Sequence, residues 1–319
     1  MVMSVASFLQ TTDSTAFSFE VLPPLRGKGI DTLFSSVDRL MEFSPAYINI
    51  TTHRTDVVYK EVSAGVFQRT TERKRPGTVA IAAALKSRYG VATVPHVICS
   101  GFSPSELENE LIDLSYLGIT DLLVLRGDKA KGESVLADGV AEYAHAVELC
   151  RQVSDYNRGL LIDGSSHETS SPFSFGVAGY PEKHEEAMNM DIDIEHLKAK
   201  IDAGAEYVVT QMFFDNAKYF DFVTRCRAAG ITVPIIPGLK PLTSLTQQSL
   251  LPKTFHIDLP IELAQQLRLC RSNEQVKALG VEWGVMQAKE LKKAGVPSIH
   301  FYSMNAVSGI EQIAKQVYL

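Results

Sequence analysis

Residues 103–128 read SPSELENELIDLSYLGITDLLVLRGD, and one helix and one strand can be marked in them directly. Ser103 is placed to accept a backbone N–H at a helix start, and Glu106, three residues on, can reach back to it as a capping box. Pro104 suits the first helical position, where no N–H is needed. Gly118 then supplies the stop. The apolar run 121–125 follows as a short strand, closed by Arg126, Gly127 and Asp128. A helix leading straight into a buried strand is half of a β/α unit.

The same alternation runs along the whole 319-residue chain. Strands are expected over 17–21, 46–51, 92–98, 121–125, 174–180, 207–212, 233–237 and 298–302. Between the first two, IDTLFSSVDRLMEF puts Ile30, Leu33, Phe34, Val37, Leu40 and Met41 on one helical face. Further helices are expected over 194–203, 217–229, 273–294 and 306–317. Eight strand-then-helix units predict an α/β protein with a parallel sheet, most economically a closed (β/α)8 TIM barrel. An open doubly wound sheet is the alternative. Against it, no GxGxxG follows the first strand and no GxxxxGK[ST] phosphate loop occurs. The polar stretches RGDKAKGESVLADG and DYNRGLLIDGSSHETSSP interrupt the rhythm without ending it. One domain over 1–319 is therefore expected, with a short N-terminal extension of about 1–15. The segment 60–76 reads as a long connection without assigned structure.

Composition narrows the function. Hydrophobic residues make up 45% and charged residues 21%, an ordinary soluble balance, and the net charge of -6 disfavours nucleic acid as a partner. Cys99, Cys150, Cys226 and Cys270 are too widely spaced for a zinc site or a disulfide framework, which suits a reducing compartment. No secretory signal and no run near the roughly 18 apolar residues of a membrane span is present. A cytoplasmic protein without membrane partners is expected. No HxH or HExxH occurs, so no metal site is expected.

In a barrel, chemistry collects at the C-terminal ends of the strands. Those ends carry Glu20; Thr51, Thr52 and His53; His96 and Ser100; Arg126, Gly127 and Asp128; Tyr180, Glu182 and His184; and Gln211 and Asp215. Asp215, opening FFDNAKYF, reads first as a helix N-cap. Glu20, in FSFEVLPP at 17–24, is the unusual one. Side chains alternate along a strand, so Glu20 shares a face with Ser18 and Leu22 while Phe17, Phe19 and Val21 face the other way. If the phenylalanines pack on the outer helices, the carboxyl enters the barrel mouth. Water is limited there, and burial would raise its pKa from about 4.3 towards roughly 6 or 7.

FSFEVLPP, LVLRGD, GYPEKHEEA, DAGAEYVVTQMFFD and IIPGLKP, in this order, resemble the methylenetetrahydrofolate reductase family of the bacterial, barrel-only type. The resemblance runs from Phe17 to the C-terminus. It implies a (β/α)8 barrel that binds FAD non-covalently and reduces 5,10-methylenetetrahydrofolate to 5-methyltetrahydrofolate. NADH or NADPH would supply electrons by a ping-pong mechanism, and the product would supply methyl groups for methionine synthesis. Carried over by motif, Glu20 resembles the general acid and Asp128 the aspartate beside the flavin pyrimidine edge and the pterin. Thr52, His96, Arg126, Gly127, Asp128, Tyr180, His184, Ala187, Asp193 and Lys200 fall on FAD-binding positions. Thr51, Gln211 and Gln247 fall on substrate-side positions. The family also implies a homo-oligomer, dimer or tetramer. Ala306 stands where an arginine commonly helps hold the folate tail, and Leu251 near where an aromatic stacks on the nicotinamide cofactor's adenine. Alternatives are another flavin barrel of the proline dehydrogenase kind, or a flavin- or folate-binding protein without catalysis.

The chemistry of that reaction explains the residue types. The substrate's five-membered ring opens only when N10 is protonated and becomes a leaving group, which calls for an acid still protonated near neutral pH. An ionised Asp128 beside the flavin would disfavour negative charge there and make the reduced flavin a readier hydride donor. Two carboxyls in different surroundings thus take two roles.

Overall fold

Ten strands form in the computed structural model, which describes residues 3–127, 142–168, 171–304 and 306–319. They are β1 (Ala16–Val21), β2 (Tyr47–Ile50), β3 (Asp56–Ser63), β4 (Val66–Glu72) and β5 (Ala92–Ile98). After these come β6 (Asp121–Leu125), β7 (Ser174–Gly179), β8 (Tyr207–Met212), β9 (Ile235–Leu239) and β10 (Ser298–Tyr302). The helices are α1 (Val5–Thr11), α2 (Asp31–Leu40), α3 (Thr78–Tyr89), α4 (Pro104–Tyr116), α5 (Ala146–Asn157) and α6 (Met190–Asp202). The chain continues with α7 (Asn216–Ala228), α8 (Gln247–Phe255), α9 (Ile261–Leu269), α10 (Asn273–Lys293) and α11 (Val307–Val317).

Eight strands close into a parallel barrel in the order β1-β2-β5-β6-β7-β8-β9-β10, with β10 pairing back onto β1. This is the (β/α)8 architecture that the alternation predicts. Outward side chains of the strands and inward faces of the helices share one apolar core. Phe17, Phe19 and Val21 lie in it with Val37 and Leu40 of α2 and with Ile310 and Ile313 of α11. Phe17 sits 5.7 Å from the Phe43 ring and 5.4 Å from that of Tyr318, both edge-on. The α4 capping box forms as its sequence dictates, with Ser103 and Glu106 each accepting the other's backbone N–H.

The N-terminal end of the barrel is closed by α1. Its Val5, Ala6 and Leu9 join Tyr47, Val94, Leu123, Tyr207, Val209 and Ile236 in a separate buried cluster. The Val5 N–H donates to Asp121 Oδ1 at 2.7 Å, tying the helix start to the first residue of β6. Residues expected as a simple extension therefore plug the barrel floor.

Several elements differ from the sequence reading; α6, for one, begins at Met190 and not at 194. The strand expected at 233–237 runs instead from Ile235 to Leu239, because its pairing with β8 opens at Ile235, opposite Val208, and extends to Gly238 opposite Met212. The connection at 60–76 holds most of an antiparallel hairpin, β3–β4, which starts earlier at Asp56 and turns at Gly65 with φ of 76°. Most of its side chains are exposed on both faces, so no core-facing alternation marks it in sequence. Its base is held by Lys74 to Asp56 at 2.6 Å and Arg26 to Glu72 at 2.7 Å.

Candidate active site at the barrel mouth

Glu20 reaches the mouth because β1 alternates as its sequence requires. Its backbone carbonyl accepts the Ser303 hydroxyl at 2.6 Å, fixing the strand end where the chain turns into Pro23 and Pro24. The side chain is buried, with Glu20 8% exposed, and burial pushes its carboxyl up from 4.5 to about 8 against a lowering pull from Lys240. That exceeds the value expected from sequence, because desolvation here outweighs the nearby cation.

His96 Nε2 lies 3.8 Å from Glu20 Oε2. Burial, and to a lesser degree the charge of His53, depresses His96 to about 3, so this is a contact of a neutral imidazole with a carboxyl and not an ion pair. The Asn49 side-chain nitrogen stands 3.3 Å from the same Nε2; if it donates, the imidazole proton resides on Nδ1. The Thr52 hydroxyl donates to the His96 carbonyl. Thr51 donates to the Val21 carbonyl through its N–H at 3.1 Å and its hydroxyl at 3.4 Å. One layer below, His300 Nδ1 meets Ser18 Oγ at 3.0 Å and its ring stacks parallel to Tyr47.

A second bonded group occupies the β7 side. The His184 N–H donates to Asp193 Oδ2 at 2.9 Å, and His184 Nδ1 accepts the Glu186 N–H at 3.2 Å. Tyr180 meets the His184 ring edge-on at 4.7 Å. Lys183 donates to the carbonyls of His184 at 2.9 Å and Ala187 at 2.7 Å, which ties this loop to itself around a buried Ala187. The Lys200 ammonium donates to the Ala178 carbonyl at 2.8 Å, and burial lowers its pKa. Arg126 joins this group through an ion pair with Glu186. After it, Gly127 takes φ of 84°, where a Cβ would press on Ile98 at 3.2 Å. Asp128 lies outside the described residues.

The remaining expected residues close on local backbone. Gln211 Oε1 accepts the Met212 N–H at 3.0 Å and Gln247 Oε1 the Thr243 N–H at 2.7 Å, leaving each amide nitrogen to donate elsewhere. Asp215 caps α7 by accepting the Ala217 N–H at 2.9 Å. Leu251 is buried with Leu242, Ile257 and Leu263, so it offers no open platform for stacking. Ala306 precedes α11 and donates its N–H to the Ser303 carbonyl at 2.7 Å.

Residues 5–318 match the family described as methylenetetrahydrofolate reductase. The chain belongs to the methylenetetrahydrofolate reductase family. It is 33% identical over 291 residues to the Escherichia coli 5,10-methylenetetrahydrofolate reductase, covering 90% of this chain and 86% of that one. It is 29% identical over 301 residues to the Arabidopsis thaliana methylenetetrahydrofolate reductase (NADH) 1, where 91% of this chain meets 46% of the relative. The chain thus spans about half the length of the plant relatives it matches. In fold, it is similar to an uncharacterized Clostridium thermocellum protein that binds two copies of 5-methyl-5,6,7,8-tetrahydrofolic acid. The TM-score is 0.58 at 15% identity, covering 97% of this chain and 96% of that one.

Within this reductase family barrel, the sequence reading passed over Asn49, Lys240, His300 and Tyr302. All four except Tyr302 are buried polar groups, and the Tyr302 hydroxyl donates to the Thr210 carbonyl at 2.6 Å. Period two along 298–302 places His300 and Tyr302 on one face with Ser298, and that was the available signal. Lys240, in IIPGLKP, carried none beyond being a charge inside an apolar motif.

Proposed function

We propose that this chain reduces 5,10-methylenetetrahydrofolate to 5-methyltetrahydrofolate with electrons from NADH or NADPH, relayed one substrate at a time through bound FAD. The observation that carries the reading is Glu20, a buried carboxyl held at about 8 and therefore still protonated at neutral pH, at the reacting end of a reductase-family barrel. On this reading, Glu20 gives its proton to N10. The bond from the methylene carbon to N10 then breaks with its electrons going to N10, and a cationic iminium at N5 remains. The substrate gains that proton and a hydride, and Glu20 must be reprotonated before the next turnover.

The residues present fit a flavin dinucleotide. Lys200 spends one N–H on Ala178 and keeps others for an anionic group, and Arg126 brings a planar cation beside it in the sequence-expected set. Thr52, His96, Gly127, Tyr180, His184, Ala187 and Asp193 would complete the cradle. Bound FAD would supply the hydride, taken from the nicotinamide and passed to the methylene carbon. Gln211 and Gln247, with their oxygens already satisfied, would present amide N–H groups to substrate, beside Thr51. Asp128 would hold negative charge near the flavin.

In the cell we place this activity in the cytoplasm, in a dimeric or tetrameric enzyme supplying methyl groups for methionine synthesis. Among the described residues no helix is long and apolar enough to cross a membrane. The visible spectrum of the purified protein tests the cofactor. Oxidised flavin absorption that bleaches anaerobically with NADH or NADPH is the expected result; a colourless protein that takes up no added FAD would overturn it.

A further inference from the structure

Strand register sets a cation in the same row as the proposed acid. Glu20 pairs with Tyr302 across β1 and β10, and Phe301 pairs with Leu239 across β10 and β9. One step on, Lys240 stands level with Tyr302. Leu239 belongs to the outer core, whereas a Cβ on Gly238 would strike the Tyr302 ring inside the barrel. By alternation Lys240 takes the inner side with Gly238. Adjacent strands lie about 4.8 Å apart, so the two side chains, which form no direct ion pair, act on each other across one intervening strand.

Lys240 is only 5% exposed. Among the described residues Glu20 is the one charged group that acts on it. Burial lowers the pKa of Lys240 and the charge of Glu20 raises it, so the ammonium is held most firmly when Glu20 is ionised. The other titratable groups around Glu20 are His96 from β5, with His53 beyond it, Tyr302 from β10, and His300 a layer below. The two buried histidines are held neutral near 3, and a phenol supplies no positive charge.

Resting on the reductase reading above, we propose that Lys240 is a positioning residue for proton transfer: its ammonium is the counter-charge for the carboxylate that Glu20 becomes when it protonates N10. The step moves one proton from Glu20 to N10, and the negative charge left on Glu20 faces Lys240 instead of a low-dielectric wall. Without the ammonium, Glu20 keeps its proton more tightly and is the weaker donor. The tendency of burial to drive the carboxyl upward, against Lys240, agrees with this direction.

Lys240→Met keeps the volume and removes the charge, and Lys240→Arg keeps the charge. The first readout needs neither cofactor nor substrate. The infrared band of the protonated Glu20 carboxyl, assigned by its loss in Glu20→Gln, is followed against pH. In Lys240→Met its disappearance should move upward by about one pH unit or more, and Lys240→Arg should restore most of the parent behaviour. An unmoved band overturns the pairing. The second readout is kinetic. Reoxidation of the reduced flavin by methylenetetrahydrofolate should slow by about tenfold at neutral pH in Lys240→Met, with reduction by the nicotinamide unchanged. Equal slowing of both half-reactions, or of neither, overturns the positioning role. If the band moves as stated but the parent itself never reoxidises with the folate, the reaction falls and the charge pairing stands. Should Lys240→Met not fold, Lys240→Gln carries the same two measurements.

Discussion

Replacing Glu20 by Gln should stabilise the protein, and by an amount that grows with pH. The folded carboxyl holds its proton up to about 8, whereas the unfolded chain releases it around 4.5. Between those values the folded state binds more protons than the unfolded state, so stability falls as pH rises. The penalty is absent below 4.5 and complete above 8. At about 1.4 kcal/mol per pH unit, burying Glu20 costs at most about 1 kcal/mol at pH 5, about 3 at pH 7 and about 5 at pH 9. Gln keeps the shape and carries no proton to lose. Urea unfolding of parent and variant at those three pH values, followed by the fluorescence of Trp283, gives the difference directly. The margin in favour of Gln should widen by several kcal/mol from pH 5 to pH 9. A difference that stays constant with pH would mean that the carboxyl ionises as freely as in the unfolded chain, and the argument for a protonated acid would be lost.

In the half-reactions, Glu20→Gln should retain FAD and its reduction by the nicotinamide while losing folate reduction by at least about a hundredfold; stopped-flow absorbance separates the two, and parallel loss of both would remove the general-acid assignment. At the opposite end of the barrel, Leu9→Ala should cost about 2–5 kcal/mol, because Leu9 fills the floor beneath Tyr47 and Tyr207. Thermal melts measure it, and a change below about 0.5 kcal/mol would show that α1 does not seal the core.

The fold was legible because its signals repeat. Each barrel strand is a short apolar run, and α4 carries its start and stop chemistry in Ser103, Pro104, Glu106 and Gly118. Glu20 could be aimed into the mouth from period two alone, since Phe17 and Phe19 had to face the helices. Less could be read where the stabilising partner is remote in sequence. The docking of α1 depends on Asp121, and the neutrality of His96 depends on how deeply the assembled barrel buries it. The hairpin β3–β4 escaped because exposed strands lack a buried face to pattern them. Lys240 escaped because its meaning comes from a register across β9, β10 and β1 that no local window contains.

The most direct test of the account is a single anaerobic turnover. Enzyme reduced with a slight excess of NADH or NADPH, freed of nicotinamide and mixed with 5,10-methylenetetrahydrofolate, should regain its oxidised flavin absorption and yield one 5-methyltetrahydrofolate per flavin. The rate should decline as pH rises through about 8, where Glu20 gives up its proton. A flavin that stays reduced, or reoxidises without forming 5-methyltetrahydrofolate, would contradict the proposed reaction.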